Sequence, residues 1–194
     1  DWHGMLDDDY VATFGALTDF LAWAVPHWEF TTDQFPHGCW WLHGDVIEEM
    51  LHGMLTVLKT NDRALAERLR KMDDVVDDLY TAVKLYLTQI SREALEEAEG
   101  RRWADIVSFT INMEQVGDIV ERIVIELEDK KIDKGRNFSE AGMAEICDLH
   151  ARLISNLQRG LSVFLNGDLK SAQELLAQKV LFRDLERAYA NTHL

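Results

Sequence analysis

Proline is scarce in this chain of 194 residues, and its two copies, Pro26 and Pro36, both lie near the beginning. Because proline interrupts helices, the proline-free sequence that follows favours long helices. Cysteine is equally scarce, since Cys39 and Cys147 lie far apart and form neither a CxxC pair nor a zinc pattern. This cysteine usage predicts a reducing compartment.

Basic residues and long apolar runs are also few. The chain has 20 basic and 35 acidic residues, for a net charge of -15. Such a charge repels nucleic acid and anionic lipid, so we expect no nucleic-acid partner. It suits a cation or a basic partner, and it also explains simple solubility. No apolar run is long enough to span a membrane. The acidic residues Asp7, Asp8 and Asp9 before the apolar stretch 10–28 are unlike the start of a signal peptide.

Catalytic motifs are missing as well. The chain has no Walker A loop and no GxGxxG, HExxH or GxSxG motif, and it pairs no nucleophile with a base, so we expect no enzyme. Glu49 and His52 fit the ExxH spacing of ferritin-like di-iron proteins, but the second ExxH that such a site needs is absent. Cys147 and His150 supply only two ligands, too few for zinc, and we expect a buried cysteine beside a partly exposed histidine.

The chain divides into two regions. Residues 1–41 contain five of the six tryptophans, and the stretch Val11 to Val25 is typical of a helix. We expect this aromatic-rich segment to pack on the main bundle, although an interaction surface with aromatic anchors is an alternative. Residues 42–194 form the second region, whose pattern is strongly helical from Asp45 onwards.

Apolar residues in the second region recur at alternating spacings of three and four, as in the seam of a helical bundle. The spacing predicts helices over residues 45–60, 62–91 and 101–131, then a loop at 133–138. A fourth helix begins after Ser139 as its N-cap and ends near Asn166, and a fifth begins near Asp168. The predicted buried positions are Leu65, Leu69, Met72, Val76, Leu79, Val83, Tyr86 and Ile90 on the second helix, and Ile106, Phe109, Met113, Val116, Val120, Ile123 and Leu127 on the third.

A weak internal repeat aligns residues 58–66 with residues 164–172, and each copy joins two helices through a short turn that ends in aspartate. The first copy continues into a third helix, whereas the second copy stops at Leu194 without one. The fold prediction is therefore an all-α antiparallel bundle of three-helix repeats whose second repeat is incomplete. The apolar groove left open would be covered by the amino-terminal segment or by another subunit.

Acidic pairs lie beside the predicted seam. Asp73 and Asp77 on the second helix, and Glu114 and Asp118 on the third, are each spaced i, i+4, as are Asp74 and Asp78. Like charges at this spacing repel, and a cation with oxygen ligands relieves the repulsion. About six such pairs are expected by chance in so acidic a chain, so the spacing alone also fits an ordinary solvated face. If the two helices are neighbours, Asp73, Asp77, Glu114 and Asp118 would converge on one metal ion.

Several segments resemble a known family. They are residues 72–89 (MDDVVDDLYTAVKLYLTQ), residues 112–120 (NMEQVGDIV), residues 138–146 (FSEAGMAEI), Lys179 with residues 182–187, and the ending His193-Leu194. Together they resemble PhoU-like domains, in particular the cytoplasmic domain of bacterial sodium-dependent phosphate symporters. The resemblance covers about residues 44–194.

The resemblance implies a regulatory, non-catalytic role in phosphate transport. It also implies a cytoplasmic location or attachment to the membrane through a transporter. It places D/E-xxx-D metal motifs on Asp73/Asp77 and Glu114/Asp118, with iron, zinc or magnesium as the ion. The implied partners are a phosphate-transporter membrane domain or a signalling kinase, and a homo-oligomer is also compatible. In the second repeat Lys179 and Arg183 replace Asp73 and Asp77, which argues against a second site there. Two alternative functions remain, a metal-free interaction module and a ferritin-like oxidase.

Overall fold

A computed structural model describes residues 38–90 and 96–192 of the chain. The amino-terminal helix predicted from Val11 to Val25 lies outside the described residues, and so does the predicted packing of that segment on the bundle.

Five long helices make up the described structure, with no strand in residues 38–90 or 96–192. They are α1 (Gly38–Thr60), α2 (Arg63–Ile90), α3 (Glu97–Glu126), α4 (Glu140–Asn166) and α5 (Leu169–Thr192). Helix α3 continues directly into a π-helical turn at Leu127–Ile132. The prediction of an all-α bundle is therefore confirmed, and the predicted helix boundaries in the second region agree within a few residues except at the beginning of α1.

The two copies of the predicted repeat begin with the same turn. Asn61 and Gly167 both adopt the left-handed conformation, with φ of 58° and 66°. Each donates its backbone N–H to the carbonyl four residues earlier, Val57 and Val163 respectively, and so ends the preceding helix. The aspartate that follows each of them, Asp62 or Asp168, accepts a backbone N–H from the next helix. The α1–α2 and α4–α5 turns are therefore built in the same way, from a left-handed residue followed by a capping aspartate.

Helices α1, α2 and α3 pack against one another, α4 packs against α1, and α5 packs mainly against α4. All seven core positions predicted on the third helix are buried, six of them on α3 and Leu127 in the π-helical turn that follows it. On α2 the buried side chains include Leu69, Val76 and Val83, as predicted, while Leu65, Met72 and Leu79 are half-buried. The side chains of Tyr86 and Ile90, also predicted to be buried, lie outside the described part of the structure. Ser139 is the N-cap of α4, as predicted, and its Oγ accepts a hydrogen bond from the backbone N–H of Gly142.

Helix α5 leaves an apolar face open. Its large apolar side chains Leu169, Leu176, Val180 and Leu181 are exposed, and the first three lie on one side of the helix because they are spaced seven and four residues apart. In the first repeat α3 covers α2, whereas the second repeat has no third helix among the described residues. No described helix combines the length and the apolar character that a membrane span requires.

Candidate metal centre

Three of the four predicted ligands converge where α2 packs against α3. Carboxylate oxygens of Asp77, Glu114 and Asp118 all lie within 4.8 Å of one another. Asp77 comes from α2, and Glu114 and Asp118 come from successive turns of α3, whose side chains lie on one face because they are four residues apart. Packing of α2 on α3 therefore brings together the acidic pairs that the sequence had only placed on separate helices.

Asp73, the fourth predicted ligand, lies one turn before Asp77 on α2 and is more buried than the sequence indicated. Its side chain is only 8 % exposed, and its Oδ1 has no hydrogen-bond partner among the described residues. A buried carboxylate oxygen without a partner is costly unless a cation or a proton compensates it. The other predicted pair, Asp74 and Asp78, is exposed to solvent and belongs to the outer face of α2.

Two of these carboxyl groups, Asp73 and Glu114, have pKa values raised above the ordinary range. Burial raises the pKa of Asp73 to about 7, and the charges of Glu121, Asp118 and Asp77 act in the same direction. Burial also raises the pKa of Glu114, again with a contribution from Asp118 and Asp77. Such shifts mark a place where negative charge is crowded and poorly solvated, as it is at metal sites and at other functional sites.

Sequence reasoning missed Glu121, which is half-buried on α3 and is the charged neighbour that acts most strongly on Asp73. Glu121 follows Asp118 by three residues and Glu114 by seven, so all three lie on one face of α3. Extending the i, i+4 pair by one more turn would have identified it from the sequence.

Gly117 of α3 lies directly against side chains of α2. A Cβ atom built on Gly117 would come within 2.7 Å of Asp73 Oδ1 and 3.3 Å of Val76 Cγ1. Since α3 has no side chain at this position, the carboxylate of Asp73 fits directly against the α3 backbone.

The residues present fit a hard cation. The three converging groups are all carboxylates, and the buried Oδ1 of Asp73 supplies a further oxygen without a partner. Oxygen-only ligand sets suit magnesium, manganese and iron, whereas structural zinc sites draw on cysteine and histidine. Asp77, Glu114 and Asp118 would hold the ion, and Asp73 is the next available ligand.

The other candidate ligands do not assemble. Glu49 and His52 are both exposed on α1, and the one group of three candidate ligand atoms within the described residues contains no histidine. A ferritin-like site therefore has no support in this part of the chain.

The prediction that Cys147 is buried and His150 partly exposed was wrong. His150 is the buried residue, at 1 % exposure, and Cys147 is only half-buried. The reason is tertiary, because His150 faces α1, hydrogen-bonds the backbone of Leu51 and has its pKa lowered to about 4 mainly by burial.

A comparison with known protein families covers the same three helices. Residues 43–127, which span α1 to α3 and the acidic cluster, match the family model of the PhoU domain.

This segment is a PhoU domain.

The chain also resembles full-length proteins named "Putative inorganic phosphate export protein YjbB". It is 42 % identical to the one from Salmonella typhimurium over 151 residues, which is 78 % of this chain and 28 % of that protein. The protein from Escherichia coli K12 is 43 % identical over the same length, with the same coverage. The chain thus spans little more than a quarter of these curated relatives. No solved structure matches the chain.

The comparisons support the PhoU resemblance but do not single out sodium/phosphate symporters, because the matched relatives are named for phosphate export. Lys179 and Arg183, the second-repeat counterparts of Asp73 and Asp77, lie on α5, where no described group of acidic ligands assembles.

Proposed function

We propose that this chain is a PhoU-type regulatory domain, without catalytic activity, that acts in phosphate homeostasis and binds a metal ion between α2 and α3. The observation that carries the metal proposal is the convergence of Asp77, Glu114 and Asp118 beside the unpartnered buried oxygen of Asp73. The phosphate-related role is supported by the PhoU domain and by the names of the YjbB relatives.

The bound ion would have a structural or regulatory role. Without it, four carboxylates from two helices repel one another. Asp77 and Asp118 are exposed to solvent, but Asp73 is buried and Glu114 is half-buried, and the raised pKa values of these two report the cost. A divalent or trivalent cation offsets the repulsion and ties α2 to α3. Its presence would therefore determine how firmly the two helices are held together.

The metal proposal is tested by elemental analysis of protein purified without chelating resin, followed by titration of metal-free protein with Mn²⁺. We expect stoichiometric metal in the parent and loss of binding in the double variant Asp77→Asn/Asp118→Asn. The matched control is Asp74→Asn/Asp78→Asn, which also removes two negative charges, but at exposed positions of α2 outside the cluster. Equal binding by both double variants would refute the site, because it would trace any affinity to net charge alone.

Regulation would pass through a membrane partner. We propose a phosphate-transporter membrane domain, either a sodium/phosphate symporter or an exporter like the YjbB relatives, with a signalling kinase as a second type of partner. The test is phosphate flux in cells that express the transporter together with this domain. The parent domain should change the flux, and Asp77→Asn/Asp118→Asn should weaken that effect. A flux that does not respond to the domain would contradict the regulatory role.

The open face of α5 favours a second candidate function, a metal-free docking module. The exposed Leu169, Leu176 and Val180 would contact the partner, and the acidic surface would attract its basic residues. In that case a complex with the partner would dissociate at high salt and would be unaffected by chelators. A complex that needs metal would favour the first proposal.

A further inference from the structure

Gly117 on α3 lies against side chains of both neighbouring helices, α1 and α2. A Cβ on Gly117 would meet Asp73 Oδ1 at 2.7 Å and Val76 Cγ1 at 3.3 Å on α2, and Ile47 Cδ1 at 3.6 Å on α1. Val76 and Ile47 are fully buried, so two sides of this position are closed by apolar packing. The third side is the carboxylate of Asp73.

The nature of that neighbour separates Gly117 from other glycines in the helices. Gly44 and Gly53 also lie against side chains, but those are the apolar ends of Leu161 and Leu69. Gly100, near the beginning of α3, has open space around it. At Gly117 the space is taken by a carboxylate oxygen of Asp73, which has no hydrogen-bond partner in the described part of the chain. Asp73 lies next to the Asp77/Glu114/Asp118 cluster.

We propose that Gly117 is a positioning residue of the metal centre, which keeps the carboxylate of Asp73 beside the other three acids so that Asp73 becomes a ligand of the bound ion. The inference rests on the metal function proposed above. A buried glycine that served only to let two helices pack closely would have no effect on the position of a metal ligand.

A methyl group at position 117 should weaken metal binding but should not lower, and could raise, the stability of the metal-free protein. The methyl would turn the Asp73 side chain to another rotamer, because the side chain moves more easily than the α3 backbone. A bound ion then loses a ligand. The metal-free protein, in contrast, no longer holds an unpaired buried carboxylate and gains the higher helix propensity of alanine. A purely structural glycine would instead lose stability without this contrast.

The test is Gly117→Ala, with Gly100→Ala as the matched control in the same helix. Binding is measured with Mn²⁺ alone, by the loss of the free-ion electron paramagnetic resonance signal. We expect Gly117→Ala to bind Mn²⁺ at least tenfold more weakly, while its metal-free melting temperature stays equal or rises by about 2 to 4 °C. Gly100→Ala should show the same rise in melting temperature with unchanged Mn²⁺ affinity.

A double-mutant cycle assigns the effect to Asp73. On the Asp73→Asn background, Gly117→Ala should cause no further loss of affinity, because the carboxylate that it displaces is already gone. An equal tenfold loss on that background would overturn the proposal, since the effect would then come from displaced helices. Unchanged affinity in the single Gly117→Ala variant would overturn it as well.

Two further outcomes are distinguishable. If Gly117→Ala does not fold, the combination with Val76→Ala relieves the 3.3 Å contact and is judged by the same cycle against Val76→Ala alone. If the parent itself binds no Mn²⁺, the proposed metal function fails, and the role of Gly117 fails with it. Binding in the parent that does not depend on Gly117 refutes only the positioning role.

Discussion

Lys131 donates a hydrogen bond from Nζ to Oδ1 of Asn61, a residue 70 positions earlier in the chain. Lys131 is only 2 % exposed, and burial lowers its pKa. Asn61 is also the left-handed residue that ends α1. One residue thus forms the α1–α2 turn through its backbone and supplies, through its side chain, the acceptor for a buried cation in the π-helical turn that follows α3.

Replacing Asn61 with alanine should destabilise the protein by about 2 to 4 kcal/mol, because a buried ammonium loses its acceptor and alanine tolerates positive φ poorly. Asn61→Gly keeps the turn conformation but loses the acceptor, so it should be less damaging than alanine. Urea unfolding measures both variants. Equal stability of the parent and both variants would show that Lys131 finds another acceptor at no cost.

Asp73 should make the metal-free protein less stable as pH rises. Its folded pKa of about 7 lies above the ordinary 3.8, so the folded state binds more protons between these values and stability falls across that window. At pH 8 the Asp73→Asn variant should therefore be more stable than the metal-free parent, by roughly 1 to 3 kcal/mol. Thermal melts from pH 4 to 8 in a chelator measure the difference, and a variant less stable than the parent at pH 8 would contradict it.

His150 should act in the opposite direction. Its pKa in the folded protein is about 4, below the ordinary 6.5. The contribution of neutral His150 to the free energy of unfolding is therefore complete above pH 6.5 and is lost as pH falls towards 4. The loss is on the order of 3 kcal/mol. His150→Gln should abolish this part of the pH dependence, as measured by urea unfolding at several pH values. His52→Gln is the control and should preserve most of it, because burial is the main cause of the shift and His52 only the second.

Gly167, in the α4–α5 turn, adopts a left-handed backbone conformation, in which any residue with a side chain would be strained. Gly167→Ala should cost about 1 to 2 kcal/mol, since φ is 66° there. Gly100→Ala should instead stabilise the protein by about 0.5 to 1 kcal/mol, because Gly100 lies inside a helix with open space around it. Chemical unfolding of the two variants should therefore move in opposite directions, and a shared direction would contradict the assignment.

Much of the fold follows from local sequence. The spacing of the apolar residues predicted the helices, and the core positions on α3 are buried as expected. The turn residues Asn61 and Gly167 and the N-cap Ser139 also act locally, through backbone conformation and one nearby hydrogen bond each. These features depend on contacts within a few residues, which is why the sequence predicts them.

The candidate site was only partly predictable. Spacing identified Asp73, Asp77, Glu114 and Asp118, but it could not distinguish the buried Asp73 from the exposed Asp74 beside it. It also gave Cys147 the burial that belongs to His150. A helix turns by about 100° per residue, so neighbouring positions face different surroundings, and which of them is buried depends on the helix that packs against it.

The sequence by itself determined the all-helical architecture, the two turns and the acidic pairs, because these follow from short-range periodicity and backbone preference. Tertiary structure alone decided that α2 lies against α3 and that Asp77 meets Glu114 and Asp118. It also decided that the missing side chain of Gly117 leaves room for Asp73. The physical reason is that a cluster of side chains shared between helices depends on the distances between those helices, and side-chain packing across the interface sets those distances.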